Sequence, residues 1–157
     1  MKIIISPYSA ALRSGSKNPK DFPFWPELVA LLKAAGHHIT QIGLSSEPRI
    51  EGVDIFVAGW PLKKLKELMR EADTFIAVDN FWQHFVHVEC NQKPGIVIWG
   101  MGNPKIFGHP ENHNIQIAQP RQYPYDCWDA LDYDPSVFPS AEMVAAVAIP
   151  ELALASS

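Results

Sequence analysis

Asp79 and Asn80 close an apolar, β-branched run, and His84 follows five residues after the aspartate. A carboxylate, an amide and an imidazole at that spacing can gather at the mouth of one crevice and hold a polar ligand. A second apolar run, Gly95 to Trp99, stops at Gly100-Met101-Gly102-Asn103-Pro104, which adds a glycine turn and the Asn103 amide. If residues 82–90 form a helix opening on Asn80, its first N–H groups are unsatisfied and suit an anion. Asp79 has two readings: its side chain fixes the Asp-Asn turn, or it approaches the ligand. His84 is equally a packed helix residue or a ligand contact.

Further candidates lie apart in the sequence. Glu47 follows the second strand, where a carboxylate can bond a pair of ribose hydroxyls, although its Ser45-Ser46-Glu47-Pro48 setting also suits an ordinary turn. Trp60, in Ala58-Gly59-Trp60-Pro61, is a base-stacking surface or a core aromatic. Lys17 and Lys20, in a loop that Gly15 loosens, are the cations available for an anionic ligand, against the usual fate of lysine as a solvated side chain. Ser9 and Gln83 complete the set of ligand-binding candidates. His84 and His87 stand three apart with Glu89 nearby, but no third convincing ligand accompanies them, so no metal is expected.

These residues need elements to position them. Short, nearly continuous apolar runs joined by about a dozen residues are what a parallel sheet covered on both faces requires. Strands are expected at Lys2 to Ser6, His38 to Leu44, Val53 to Val57, Thr74 to Val78, Gly95 to Trp99 and Asn114 to Ala118. Helices are expected from Pro26 to Gly36, from Leu62 to Ala72, over residues 82–90, and from a Ser140 cap through Ala148. The βα alternation gives an α/β fold, a single Rossmann-like domain with a mostly parallel sheet. In such sheets ligands sit beyond the carboxyl ends of the strands. Lys63, Lys64, Lys66 and Arg70 read as the solvated face of the second helix. Pro120, Pro124, Pro135 and Pro139 alternate with Tyr123, Tyr125, Trp128 and Tyr133, a proline-aromatic wrap. The domain is expected over residues 1–150, with 151–157 a loosely held tail.

Composition narrows the function. The chain has 157 residues, 47% of them hydrophobic, with a formal charge of -4 and a pI near 5.8. That is one globular domain with enough chain for a layered core, and it lacks the basic balance of a duplex nucleic-acid binder. No apolar run reaches membrane-spanning length and no signal peptide is evident, since Met1 to Ile5 runs into Pro7. Cys90 and Cys127 form no metal or redox spacing, so a cytoplasmic protein with reduced thiols is expected.

Asp79, His84, Lys93-Pro94 and Gly100-x-x-Asn103-Pro104 together resemble the carboxyl-terminal half of the heptosyltransferase-like glycosyltransferases, the family 9 type that includes the ADP-heptose:LPS heptosyltransferases. The Gly-to-Asn spacing is one residue longer than the family's short pattern. The opening strand, Trp25-Pro26-Glu27 at a helix start, the Gly43 to Glu47 strand end and the Leu62 to Ala72 helix fall in family order. The resemblance covers roughly Lys2 to Val147. It implies a GT-B-type half that binds a nucleotide-diphosphate sugar as donor, with no other cofactor. Asn80 stands where relatives carry a small hydroxyl residue, Phe81 where many carry glycine, and Pro23-Phe24 where many carry lysine.

Such an enzyme needs about twice this length. The chain opens on a strand at Met1-Lys2, so the coding unit is expected to start there, with the second half absent. The family's acceptor-activating carboxylate comes from that other half, so the catalytic residue is unknown. Three readings follow: a sugar transferase completed by a second subunit or a second copy, a nucleotide or nucleotide-sugar binding module without turnover, and a degenerate structural fragment. The first is preferred, its activity left open. For the contact with a partner, Trp82 beside Phe81, together with Tyr123-Pro124-Tyr125 and Trp128, is the expected aromatic core.

Overall fold

The computed structural model describes residues 1–121 and 131–149. Its elements are β1 (Lys2–Ser6), α1 (Trp25–Ala34), β2 (His38–Gly43), β3 (Ile55–Ala58), α2 (Leu62–Glu71), β4 (Thr74–Val78), α3 (Phe81–Glu89), β5 (Ile96–Ile98), the one-turn α4 (Pro104–Phe107), β6 (His113–Ile115) and α5 (Ala141–Ala148). All six strands are parallel, in the order β3-β2-β1-β4-β5-β6.

Alternation along β1 shows how the sequence builds three layers. Ile3 and Ile5 join α1 and α5 in one apolar cluster, with Leu28, Leu32, Val144 and Phe138. Ile4, pointing the other way, joins α2 and α3 through Leu65, Met69, Trp82 and Val86. A strand buried on both faces cannot alternate with polar residues, which is why Lys2–Ser6 and Thr74–Val78 read as unbroken apolar runs. Gly36 ends α1 at φ +87°, its N–H donating to the Lys33 carbonyl while that of His37 reaches Leu32; such a left-handed C-terminal turn suits glycine. Lys93, part of the Lys-Pro motif, donates to the Met69, Arg70 and Ala72 carbonyls. It thereby caps the negative end of α2.

Several boundaries differ from the sequence expectation. Val53 and Asp54 lie in a turn before β3 rather than in the strand: Asp54 accepts from the Ile39 N–H and its carboxylate pairs with Lys33 at 2.7 Å. Strand β6 stops at Ile115 because Gln116 turns its amide onto the Gly100 and Gly102 carbonyls. The α4 turn has no counterpart in the sequence expectation; Pro104 at its first position and an Asn103 cap start it. Trp82, expected at a partner contact, is wholly buried against α2 and the sheet, and Phe81 carries the exposed aromatic surface of that turn instead. The residues 123–125, Cys127 and Trp128 lie outside the described segments, as does the carboxyl-terminal tail. Among the described residues no helix is long and apolar enough to cross a membrane.

Candidate functional site

The chain leaves β1 toward β2 on one side and returns to β4 on the other, so the carboxyl ends of β1 and β4 form the topological switch point of the sheet. Loops diverge there and leave a crevice, the usual ligand position in an open α/β sheet. A cavity of about 820 Å³ occupies it.

Its floor is held by Asn80. The Asn80 amide donates to the Ser6 carbonyl, to Ser6 Oγ and to the Tyr8 carbonyl, while its oxygen accepts from the Trp82 N–H and caps α3. One side chain thus locks the exit of β1 to the start of α3, and its donors are used within the protein. Asp79 is 8% exposed; one oxygen accepts from Gln83 and the other lies 3.3 Å from Lys20 Nζ. Ser9 Oγ donates to the Asp79 carbonyl. Asn18 shapes the loop that delivers Lys20, donating to the Ala10 carbonyl and accepting from the Lys20 N–H.

Ser9, Lys20, Glu47, Trp60, Asp79, Asn80, His84 and Asn103 all line this cavity. Residues from well-separated segments therefore meet on one rim, as the parallel sheet requires. Trp60 is 41% exposed, its ring near Lys64 Nζ. Asn103 lines the wall but uses its oxygen to cap α4 through the Lys105 N–H. The other three candidates lie elsewhere. Lys17 places its ammonium 4.2 Å above the Tyr133 ring. Gly100 faces Phe138 and the Pro19 carbonyl and does not line the cavity, and Gly102 takes its place on the wall. Gln83 is fully buried behind Asp79, a support rather than a lining residue.

Sequence reasoning missed Arg121, Tyr8 and the apolar mouth formed by Leu44, Leu62, Ile106 and Phe107. Arg121 lies six residues beyond β6, where its N–H donates to the Met101 carbonyl. Burial raises the pKa of two flanking carboxyl groups. Glu47 is pushed up by desolvation, with the Leu44 N–H pulling back and Asp21 adding repulsion. Desolvation also pushes Asp21 up to about 6, against the Ser9 hydrogen bonds and the attraction of Lys17 and Lys20. On the flank of α3, burial and the neighbouring His87 and His84 hold His109 below the usual imidazole range.

Asp21 yields a stability prediction. Its folded-state pKa exceeds the unfolded one near 3.8, so the folded chain binds the proton more tightly. The contribution to stability is complete below the unfolded value and is lost as pH rises from about 4 to 6. Asp21→Asn keeps an oxygen for the Ser9 N–H and should be about 1–3 kcal/mol more stable than the parent at pH 7, since a tenfold difference in proton affinity between the two states corresponds to about 1.4 kcal/mol. Urea midpoints at pH 4.5 and 7 measure this; an advantage that does not shrink at the lower pH contradicts it.

Compared with known proteins, the chain matches no family profile and no curated protein. Solved structures do match. The iron-containing dodecameric heptosyltransferase TibC, in complex with ADP-D-beta-D-heptose, superposes with a TM-score of 0.61 at 20% identity, over 88% of this chain and 35% of that one. The E. coli ADP-heptose LPS heptosyltransferase II gives a TM-score of 0.69 at 14% identity over 99% of this chain and 47% of its own. E. coli heptosyltransferase WaaC with ADP gives 0.56 at 16%, over 71% and 37%. At these identities the likeness is one of fold, an α/β Rossmann-like sheet shared with heptosyltransferases. The chain spans less than half the length of each.

Proposed function

We propose that the switch-point cavity binds a nucleotide-diphosphate sugar and that the chain acts as a glycosyltransferase-type domain, transferring the sugar once a second subunit or a second copy closes the cleft. The observation that carries this reading is the cavity's composition at that position. Lys20, Arg121 and the α3 N-terminus supply positive potential for a diphosphate, while Trp60 and Glu47 offer an aromatic face and a carboxylate for a base and its ribose. Two of the solved structures that share the fold hold ADP or an ADP-sugar, which agrees with such a ligand.

The missing wall follows from the mouth. Leu44, Leu62, Phe81, Ile106 and Phe107 line the cavity and are substantially exposed, an apolar rim of the kind that another protein surface covers. A donor open to water on one side is poorly placed for transfer, so the isolated monomer should be a weak catalyst. We place this reaction in the cytoplasm, where a free thiol such as the buried Cys90 stays reduced.

A second reading, binding without turnover, has its own support. Both carboxylates lining the cavity are engaged, Glu47 with the Leu44 N–H and Asp79 with Lys20 and Gln83, so neither is poised as a general base. Calorimetric titration with a panel of nucleotide-sugars, coupled to mass spectrometry of the products, separates the two. Sugar transfer or hydrolysis supports the transferase. Tight binding with the donor intact over hours supports the receptor, and no binding at millimolar concentration sinks both.

A further inference from the structure

Beside the cavity, where α3 meets the loop between α4 and β6, three imidazoles and one carboxylate are gathered. His84 and His87 stand three residues apart on α3 and share a face. His109 and Glu111 come from the loop. His87 Nδ1 lies 2.5 Å from Glu111 Oε1, and His84 Nδ1 lies 2.8 Å from His109 Nε2. The His87 and His109 rings stack with centroids 3.9 Å apart. One ligand atom from each of His87, His109 and Glu111 falls within 4.8 Å of the other two, and all three side chains are half-buried. Glu89, the acidic neighbour in the sequence, is instead paired with Lys66.

We propose that His87, His109 and Glu111 form a site for a borderline divalent transition-metal ion, of which zinc is the type, with an open fourth position. Two imidazoles and a carboxylate match the donor set of three-ligand zinc sites and are a poor match for calcium or magnesium, which take oxygen ligands. Ligand bonds of about 2.0–2.1 Å place tetrahedral donors roughly 3.3 Å apart. His87 Nδ1 and Glu111 Oε1 now stand 2.5 Å apart and all three ligand atoms lie within 4.8 Å of one another, so an ion requires the His87–Glu111 pair to open and the two stacked rings, 13° from parallel, to turn so that their lone pairs converge. The ion takes the place of the hydrogen bond between His87 Nδ1 and Glu111 Oε1. His84, bonded to His109, is a positioning residue of the kind that orients a metal-bound imidazole. It also lines the cavity, so the ion lies one side chain from the ligand space and ties the loop carrying His109 to α3. None of this depends on the nucleotide-sugar reading.

The test is titration of the full chain, stripped with chelator, at pH 7.5 with zinc chloride, and with magnesium chloride as control. One equivalent of zinc should bind and raise the unfolding temperature, since a ligand of the folded state stabilises it by mass action; magnesium should do neither. His87→Gln, His109→Gln and Glu111→Gln should each weaken zinc binding at least tenfold, and His84→Ala by about tenfold, as outer-sphere partners do. Circular dichroism checks that each variant is folded. His37→Gln with His38→Gln, near the amino terminus, should leave the affinity unchanged. Cobalt provides a readout independent of the variants, because a four-coordinate site gives strong visible absorption. Absence of saturable one-to-one binding, weak octahedral cobalt absorption, or loss of binding in the His37 and His38 variant alone would overturn the assignment.

Discussion

Asn80→Ala should lower the stability of the fold by about 2–4 kcal/mol. Losing an N-cap acceptor costs about 1 kcal/mol, and each acceptor left without its donor in a part-buried position adds about 1 kcal/mol or more. The amide serves Ser6 O, Ser6 Oγ and Tyr8 O together, so the loss exceeds that of a simple cap. Asn80→Ser separates the contributions: it keeps a cap acceptor, gives up the clamp on Tyr8, and should fall between the parent and alanine. Asn80→Asp keeps the cap but turns a second acceptor toward two carbonyls, and should be no better than alanine. Urea denaturation of the three variants tests the ordering. A purely ligand-binding role for this side chain predicts a different pattern, weaker affinity at unchanged stability.

The largest effect on binding is expected from Lys20→Ala combined with Arg121→Ala, at least a hundredfold loss of affinity for a nucleoside diphosphate. Hydrogen bonds to a charged group are each worth about 1.5–3 kcal/mol, and every increment of about 1.4 kcal/mol is tenfold. Removal of Lys20 acts twice in the same direction, because Asp79, 3.3 Å from its ammonium, is left as an uncompensated negative charge facing the incoming diphosphate. Asp79→Asn then carries a sign. If the carboxylate serves only to hold Lys20, the variant removes one of the negative partners of that ammonium and binding strengthens; if Asp79 bonds a ligand hydroxyl, binding weakens. The uncharged nucleoside is the control, and it should bind the double variant as it binds the parent. An equal loss for nucleoside and diphosphate would place the diphosphate elsewhere.

The frame of this site is legible where one physical rule decides the outcome. Unbroken apolar runs ending at Ser6 and Val78 define β1 and β4 to the residue, and Asn80 as a cap marks the start of α3. What escapes depends on packing between distant segments. In Phe-Trp-Gln-His-Phe-Val-His-Val apolar residues surround the helix, so periodicity cannot say whether Phe81 or Trp82 turns inward; the stacking of Trp82 on Phe85 and its burial beside α2 decide it. Lys17 and Lys20 are equivalent in the sequence, and only the turn held by Asn18 selects Lys20. Arg121 escapes because it follows a proline in a segment whose composition signals a wrap, while its place on the rim depends on a backbone hydrogen bond to the distant Met101 carbonyl. His109 and Glu111 lie in a loop whose path has no periodicity, so their meeting with His87 leaves no local signal.

The central position of β1 governs the order in which the sheet can be completed. Ile3 lies opposite Ile39 on one side and Thr74 on the other, so neither neighbour arrives through a hairpin. As the chain emerges during synthesis, β1 waits for β2 and then for β4 before its second edge is covered. Until then Ile3, Ile4 and Ile5 face solvent along an unpaired backbone edge, a surface prone to joining other chains. Closing such distant pairs is slow compared with forming local contacts. The same arrangement that creates the crevice at the switch point therefore makes the two halves of the sheet interdependent in folding. A cut in the loop between α2 and β4 should yield fragments that associate through β1 rather than fold alone.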